Sequence, residues 1–411
     1  MKFAHLADSH LGYRQYGLEA REKDLIEEFD KIIEKIIDED VDFVIHSGDL
    51  FQTAKPSPNA LLPFQKGLLR LKGAGIPMYA IAGNHDSLLS SGAIPPQVLF
   101  KKFGLKLIST INTNYVHNGV FIGGIPFMPS SHKKSLKNSL ANLSSKAEDY
   151  DKAILVLHQG IDKYLPFAHE LEIGDLPDNF DYYALGHIHK FIEDDFGKGK
   201  LVYPGSMDIL SKSEYDDYVK NGKGFVVVDL DGPKPTVKRV PVNPSREFIR
   251  RNIDFNNLEN DLKSIKLSVE GLDKKPMIFL NVYNVDRSIK DIHELISAEL
   301  GPVSLNVRTV FKFIDEEDVV DFTSSGKIGP KELLEDKLKE FGNESIVKLG
   351  VDLYNKLSIN HNEEAVNIAR SYFENNFDSM VIDNDTDEKK SIEADDKNQD
   401  DDFKITFKEA I

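Results

Sequence analysis

Residues 43–51 of this 411-residue chain read FVIHSGDLF. The first four form a short apolar run of the kind that fills a buried strand, and Gly48 shortly after it lets the backbone turn sharply. That turn can bring the carboxylate of Asp49 close to a cation bound at the end of the strand. Because open α/β sheets place ligands at the carboxyl ends of their strands, this stretch predicts an α/β domain with a cation site at its sheet edge.

Four other short motifs, in a fixed order along the first half of the chain, supply further carboxylate, amide and imidazole groups. They are DSH at 8–10, GNHD at 83–86, HQG at 158–160 and GHIH at 186–189, and most follow an apolar run. Between the runs lie amphipathic patterns such as residues 22–40, where apolar residues recur at helical spacing. Continuous apolar strands between such helices predict a layered α/β domain whose β-sheets are flanked by helices.

Composition restricts the class of protein. The chain has no cysteine, which rules out disulfides, thiolate metal ligands and cysteine nucleophiles and fits a reducing cytoplasm. No segment has about 18 uninterrupted apolar residues, and strand-like sequence begins at Met1, so we expect neither a signal peptide nor a membrane span. The net charge is −17, but ten acidic residues and three lysines crowd residues 383–402. Bound cations also reverse the local field of an acidic metal site, so net charge neither supports nor excludes a nucleic-acid partner.

Composition also divides the chain into four predicted parts. Residues 1–240 carry the five motifs, and residues 241–325 alternate strands with a helix as a small α+β module. Residues 326–378 contain short amphipathic helices. From 379 to 411 the chain is acidic and too poor in apolar residues to fold alone. It ends with an alternating fragment at 403–408, which suits either a binding strand or a frayed end.

The motif side chains suit two adjacent divalent cations. Asp8 and His10 are two residues apart, as are His187 and His189, and in extended backbone that spacing points both side chains to one side. A carboxylate can bridge two cations, so Asp49 is the predicted bridge. Mixed nitrogen and oxygen ligands without sulfur favour Mn²⁺, Fe²⁺ or Zn²⁺ over Ca²⁺, with Mg²⁺ as a further alternative. Two cations roughly 3.5–4 Å apart polarise a water and clamp the oxygens of an in-line phosphoryl displacement.

Together the motifs resemble those of the calcineurin-like metallophosphoesterase superfamily. Within it, DSHLG at 8–12, GDLF at 48–51, GNHD and GHIH are similar to the SbcD-type DNA-repair nucleases, called Mre-eleven in archaea and eukaryotes. The loop at 11–16, the run KPSP at 55–58 and the small module after Val240 are similar to that branch as well. The resemblance implies a nuclease domain at 1–240, a DNA-binding capping domain at 241–325 and a segment at 326–378 that binds an ATPase partner.

The resemblance also implies an activity and partners. It implies a manganese-dependent DNA nuclease with two Mn²⁺ per subunit, acting as a 3′–5′ exonuclease on double-stranded DNA and as an endonuclease on single-stranded DNA. The expected role is end processing in double-strand-break repair, in the cytoplasm at the nucleoid. The expected partners are DNA, an SbcC-type coiled-coil ABC ATPase and a second copy of the chain, without any membrane.

Individual site residues follow from the resemblance. It implies one cation held by Asp8, His10, Asp49 and His189, and a second held by Asp49, Asn84, His158 and His187. His85 would face the phosphate, as proton donor to the leaving oxygen or as a transition-state stabiliser. One position departs from the branch, in which a His often follows GDLF: here it is Gln52, which can hydrogen-bond a phosphate but cannot titrate near neutral pH. That departure leaves the fold and metals untouched and bears on the rate or on the balance of activities.

Some alternatives stay open on the sequence. The candidate DNA contacts are Tyr13, Arg14, Gln52, Lys55 and Arg250, which suit either phosphate contacts or an ordinary solvated surface. A small-molecule metallophosphoesterase acting on a nucleotide or phosphomonoester is a second function, which the module at 245–315 and the later helices disfavour. A DNA-end-binding scaffold with weak catalysis is a third, against which the complete ligand set argues.

Overall fold

The computed structural model of the chain describes residues 1–87, 94–285, 289–313, 319–323, 334, 338, 344–358 and 364–372. These residues belong to two compact units, Met1–Thr309 and Val310–Ile411. The acidic part at 379–411, with its fragment at 403–408, lies outside the described residues. The four-part division stays a prediction. No helix among the described residues is both long and apolar enough to cross a membrane.

Two six-stranded sheets form the centre of the first unit. The first has the order β12-β11-β1-β2-β3-β4 and the second the order β5-β6-β7-β8-β10-β9. The strands are β1 (Lys2–Leu6), β2 (Phe43–His46), β3 (Met78–Ala80), β4 (Lys106–Leu107), β5 (Asn114–His117), β6 (Val120–Ile125), β7 (Lys152–His158), β8 (Tyr182–Gly186), β9 (Ile192–Phe196), β10 (Gly199–Tyr203), β11 (Lys223–Asp229) and β12 (Thr236–Val242). Strands β1 to β4 are parallel neighbours, as are β6, β7, β8 and β10.

Helices cover the outer face of each sheet. The helices that precede β12 in the chain are α1 (Glu19–Asp38), α2 (Pro58–Gly73), α3 (Lys133–Ala147) and α4 (Tyr215–Asn221). Apolar residues of α1 and α2, such as Phe29 and Phe64, share one core with the first sheet, and α3 shares another with the second sheet. The predicted layered α/β fold, with sheets flanked by helices, is confirmed.

A third core lies between the two sheets. Phe3 on β1 stacks on Phe43 with ring centroids 4.9 Å apart, and it meets the ring of Tyr182 on β8 edge-on at 5.2 Å. All three rings are buried. This packing fixes the two sheets against each other, so that strand ends from both sheets are held at constant separation.

The small module after β12 contains a helix that the sequence interpretation missed. Its strands are β13 (Phe248–Asp254), β14 (Met277–Val285) and β15 (Asn306–Phe313), and its helices are α5 (Leu258–Val269) and α6 (Ile289–Leu300). Strands β13 and β14 pair in parallel, which requires a crossover connection, and α5 provides it. The second unit contains β16 (Val319–Thr323), α7 (Glu344–Ser358) and a helix over 364–372.

Candidate metal centre

The five motifs all lie at the carboxyl ends of parallel strands. Asp8, Asp49 and Asn84 follow β1, β2 and β3 of the first sheet, whereas His158 ends β7 and His187 follows β8 of the second. The backbone N–H of His187 donates to Asp8 Oδ1 at 3.1 Å, which joins the two sheets at this edge. The predicted site residues are therefore brought together by the packing of one sheet on the other.

Several candidate ligands have an unfavourable backbone conformation. The φ angles of Asp8, His10, Asp49 and His187 are 52°, 45°, 54° and 92°, in the left-handed region that non-glycine residues rarely adopt. Such conformations persist only where the surrounding structure enforces them, and they concentrate at functional sites. Here they turn each side chain toward the same centre.

Two glycines permit the close approach of the motif loops. A β-carbon at Gly48 would lie 2.3 Å from Nδ1 of His158, and one at Gly83 would lie 2.2 Å from Oδ1 of Asp49. No side chain fits at these distances, so glycine at both positions follows from the packing of the candidate ligands. The glycines of GDLF and GNHD are therefore as much part of the site as the charged residues beside them.

In the first cluster of ligand atoms, two imidazoles face each other. His10 Nε2 lies 3.2 Å from His189 Nε2 and 3.6 Å from Asp49 Oδ2. The outer nitrogen of each ring faces an acceptor: His10 Nδ1 is 2.9 Å from Gln52 Oε1, and His189 Nδ1 is 3.1 Å from Glu214 Oε1. Each Nδ1–H donates to its acceptor, so in the neutral rings the Nε2 lone pairs of His10 and His189 point into the cluster. Such an arrangement is stable when a cation lies beside it.

In the second cluster, two imidazoles face the oxygens of Asn84 and Asp49. His158 Nδ1 donates to the backbone oxygen of Ser47 at 2.7 Å, which leaves Nε2 without a proton in the neutral ring. That Nε2 lies 3.0 Å from Asn84 Oδ1 and 3.3 Å from Asp49 Oδ2. His187 Nδ1 is 3.0 Å from the same Asn84 oxygen. Asp49 thus faces both clusters, as a bridging ligand must.

The charges of the centre also favour a cation. Burial and neighbouring imidazoles lower the pKa values of His10 and His187 to about 3, so both rings are neutral, as metal-binding imidazoles must be. Burial alone would lower the pKa of His158, but the carboxylates of Asp49 and Asp8 raise it to about 9. Burial opposes ionisation of Asp49, yet His158 and the other imidazoles hold its pKa well below the usual range. Buried negative charge therefore draws a positive charge into the site.

Among the residues that the structure describes, geometry alone yields three overlapping groups that could hold a metal ion. They are Asp8, His10 and His189; His10, Asp49 and His85; and Asp8, Asp49 and His158, each with ligand atoms within 4.8 Å of one another. The residues present thus fit divalent cations. The second group includes His85, for which the sequence interpretation predicts a role other than ligation.

His85 and Asp86 fasten the GNHD loop to the GDLF loop. The backbone N–H of His85 donates to Asp49 Oδ1 at 2.8 Å, and His85 Nδ1 lies 3.1 Å from the backbone oxygen of Gln52. The carboxylate of Asp86 accepts backbone N–H groups of Leu50, Phe51 and Gly83 at 2.7–3.1 Å. Burial and the charge of Asp49 raise the pKa of Asp86 to about 7. Asp86 is thus a structural support inside a ligand motif.

Comparison with known proteins identifies the family of the chain. Residues 1–191 match the family model of calcineurin-like phosphoesterases. The chain is 34% identical over 389 residues to the DNA double-strand break repair protein Mre11 of Methanococcus maripaludis, an alignment that covers 92% of this chain and 100% of that protein. The chain belongs to the Mre11 family. The Mre11 protein of Methanocaldococcus jannaschii is 36% identical over 371 residues, covering 88% of this chain and 96% of its own.

Membership in the Mre11 family confirms the predicted family and enzyme class. The chain is a DNA double-strand break repair nuclease of the metallophosphoesterase family, with candidate metal-binding groups of His and Asp. How these residues divide between two cations, and which cations bind, stay predictions.

Two of the predicted DNA contacts of this Mre11-family chain have partners within the protein. The guanidinium of Arg14 pairs with the buried carboxylate of Glu22 at 2.6 Å. Arg250 pairs with Asp216 and lies over the ring of Tyr215, 4.6 Å from its centroid. Either arginine would have to share or exchange these partners to contact a phosphate.

The other predicted DNA contacts have different surroundings. Tyr13 is half-buried and packs against the core around α1 and α2. Lys55 is exposed and lines a small cavity together with Arg14. The side chain of Gln52 accepts from His10 Nδ1 through Oε1 and so orients that ring, and its Nε2 lies 3.3 Å from His85 Nδ1. A direct contact of any of these residues with DNA stays a prediction.

Sequence reasoning missed Glu214, which lies outside every motif. Its carboxylate is buried and accepts from His189 Nδ1, 25 residues away along the chain. It is the last residue of the short 3-10 turn Lys212–Glu214, just before α4. No pattern in that polar stretch marks one acidic residue as buried, so only the fold reveals it.

Proposed function

We propose that this Mre11-family chain hydrolyses phosphodiester bonds of DNA with two divalent cations that share Asp49, preferably Mn²⁺. The supporting observation is that Asp49 faces both clusters of ligand atoms, through His10 at 3.6 Å and His158 at 3.3 Å. One cation would be held by Asp8, His10, Asp49 and His189, and the other by Asp49, Asn84, His158 and His187. When bound, such a pair activates water and offsets the negative charge of the phosphate.

The chain's own residues would orient these groups and move the proton. Gln52 Oε1 fixes the proton of His10 on Nδ1, and the backbone oxygen of Ser47 does the same for His158. The ring of His85 is half-buried beside His10, with centroids 4.8 Å apart. With its Nδ1 held by the backbone oxygen of Gln52, Nε2 of His85 can carry a proton to the leaving oxygen of the scissile bond.

An assay of the full-length chain tests this function. We expect Mn²⁺ to support 3′–5′ degradation of end-labelled linear duplex DNA and cleavage of circular single-stranded DNA, and Mg²⁺ to support less. Rapid hydrolysis of p-nitrophenyl phosphate with inert DNA would instead indicate a small-molecule phosphoesterase, and DNA-end binding without cleavage a scaffold. If the substrate is chromosomal DNA, the protein acts in the cytoplasm at the nucleoid. In a cell extract it should then sediment together with the DNA, and digestion of the DNA should release it.

We propose a homodimer through α2 and the 3-10 helix Pro96–Phe103. Leu62 and Leu69, seven residues apart on α2, are 61% and 46% exposed, and Leu99 on the neighbouring 3-10 helix is 62% exposed. The two elements pack through Phe64 and Phe100, whose rings lie 4.7 Å apart. An exposed apolar patch on adjacent helices marks an interaction surface, and these elements flank two metal motifs.

A double substitution, Leu62→Glu with Leu99→Glu, should convert the dimer to a monomer because it places charge within the interface. Light scattering at micromolar concentration measures this mass. Ile111→Glu is the matched control, since Ile111 is 97% exposed elsewhere and should leave the mass of the dimer unchanged. A wild-type chain that is already monomeric would contradict the proposal.

We propose that the helical segment at 326–378 binds a coiled-coil ABC ATPase of the SbcC type. Val347, Val351 and Tyr354 recur at helical spacing along α7 and are half-buried. Leu357 on α7 and Val366 on the next helix are 53% and 55% exposed. An amphipathic helix of this pattern suits a hydrophobic groove on a partner.

Leu357→Glu with Val366→Glu should abolish co-purification with the ATPase while Mn²⁺-dependent hydrolysis by the isolated chain persists. Deleting residues 330–375 should have the same result. The control is Leu267→Glu, at a position on α5 that is 70% exposed and outside this segment. A complex that survives both the double substitution and the deletion places the ATPase contact elsewhere.

A further inference from the structure

A buried lysine lies behind the metal-ligand candidate His189. The side chain of Lys223, the first residue of β11, is 0% exposed. Its Nζ donates to Glu214 Oε2 at 2.6 Å, to Ser206 Oγ at 2.8 Å and to the backbone oxygen of His189 at 2.8 Å. A buried ammonium group is costly unless it is paired and fully hydrogen-bonded, and Lys223 meets both conditions.

The carboxylate of Glu214 connects this lysine to the imidazole. Its Oε2 faces Lys223 and accepts from Ser206 Oγ at 2.8 Å, while its Oε1 lies 3.1 Å from His189 Nδ1 and accepts from Ser211 Oγ at 3.0 Å. Both oxygens are therefore fixed by donors on separate segments of the chain. The carboxylate can neither rotate nor leave the imidazole without breaking these hydrogen bonds.

We propose that Glu214 is a positioning residue for His189 and that Lys223 is its counterion. The hydrogen bond to Glu214 holds the proton of His189 on Nδ1 and directs the lone pair of Nε2 toward Asp8 Oδ1, 3.9 Å away, and His10 Nε2. A carboxylate behind a metal-bound histidine orients the ring and makes it a stronger donor. The inference rests on the proposed binding of a cation by His189.

This support distinguishes one half of the centre from the other. The outer nitrogens of His10 and His158 face neutral oxygens, from the Gln52 side chain and the Ser47 backbone. Among the residues that the structure describes, His189 is the candidate ligand whose outer nitrogen faces a carboxylate. Loss of the Glu214 carboxylate should therefore weaken the binding of the cation assigned to His189. The binding of the cation assigned to His158 and His187 should be unchanged.

The experiment is calorimetric titration of the metal-free full-length chain with Mn²⁺, together with thermal unfolding in EDTA. Glu214→Gln keeps the shape of the side chain and removes its charge. We expect affinity for one of two Mn²⁺ ions to fall on the order of 10- to 100-fold, with the other nearly unchanged. The metal-free variant should also unfold at a lower temperature, because Lys223 is left as an unpaired buried charge.

A double variant separates positioning from simple structural support. Glu214→Gln with Lys223→Met removes both charges, so the unfolding temperature should recover while the weakened Mn²⁺ affinity does not. Asp208→Asn is the control: it breaks the buried pair between Asp208 and Arg21, whose atoms lie 2.6 Å apart. It should lower the unfolding temperature and leave both Mn²⁺ affinities unchanged.

Each outcome decides between the proposals. The positioning role would be overturned if Glu214→Gln bound two Mn²⁺ ions with wild-type affinity. It would also be overturned if Mn²⁺ affinity recovered together with stability in the double variant. Either result would leave the two-cation proposal intact. A wild-type chain that binds no Mn²⁺ would overturn the proposed function itself.

Discussion

Replacing Asp49 with alanine should abolish DNA hydrolysis and reduce bound Mn²⁺ from two ions to at most one. One carboxylate oxygen of Asp49 faces His10 and His158, and the other accepts the backbone N–H of His85 at 2.8 Å. A catalytic cation supplies several kcal/mol of charge stabilisation, and roughly 1.4 kcal/mol corresponds to tenfold in rate. The expected loss is therefore on the order of 10³-fold or more, measured as initial rate on duplex DNA with metal content determined in parallel.

The variant Asp49→Asn refines this test because it retains the size of the side chain and can still accept the N–H of His85. If charge and bridging are what matter, Asn should be almost as inactive as Ala. Asp181→Asn is the control, since Asp181 is also buried and accepts the backbone N–H of Ala153 at 2.9 Å. It should cost about 1–3 kcal/mol of stability without loss of Mn²⁺. Substantial turnover by Asp49→Ala with two ions bound would disprove the bridging role.

The sequence predicts the fold and the location of the site for a physical reason. Most of the motifs follow an apolar run, and parallel strands bring such positions to one edge of a sheet. The runs at 43–46 and 182–185 lie in β2 and β8 of the structure, so Asp49 and His187 lie at strand ends as expected. No short stretch of sequence encodes the order of the strands or the packing of the two sheets on each other. That packing is what brings the strand ends of both sheets to one site.

What the sequence does not reveal depends on long-range pairing. Lys223 begins an apolar strand, where a lysine ordinarily lies in solvent, and only the fold buries it against Glu214. Arg250 suits a phosphate contact in the sequence, but the structure pairs it with Asp216. Helix α5 is a different case: Leu258, Leu262, Ile265 and Val269 recur at helical spacing and are buried, so its amphipathic pattern is visible in the sequence although the interpretation did not include it.

Replacing His85 should slow DNA cleavage without removing the cations. Its Nδ1 lies 3.1 Å from the backbone oxygen of Gln52, which orients the ring so that Nε2 can carry a proton. Because a positioned general acid contributes about 10²–10⁴-fold, His85→Leu should lose at least about 10²-fold in rate while two Mn²⁺ ions remain bound. His85 also lies within ligand distance of His10 and Asp49, so loss of an ion together with activity would identify it as a ligand instead. His169→Gln, at a half-exposed loop position, is the control.

If the cations remain bound, a comparison of two substrates with different leaving groups distinguishes the two possible roles of His85. A deoxyribose oxygen leaves as a strongly basic alkoxide unless it is protonated, whereas p-nitrophenolate is a stable anion that needs no proton. If His85 donates a proton, His85→Leu should lose about 10²-fold or more on DNA but much less on a p-nitrophenyl phosphodiester, and His85→Gln should behave like Leu. An equal loss on both substrates, partly rescued by Gln, would show that the ring stabilises charge on the phosphate by hydrogen bonding, since an amide can donate a hydrogen bond without transferring a proton.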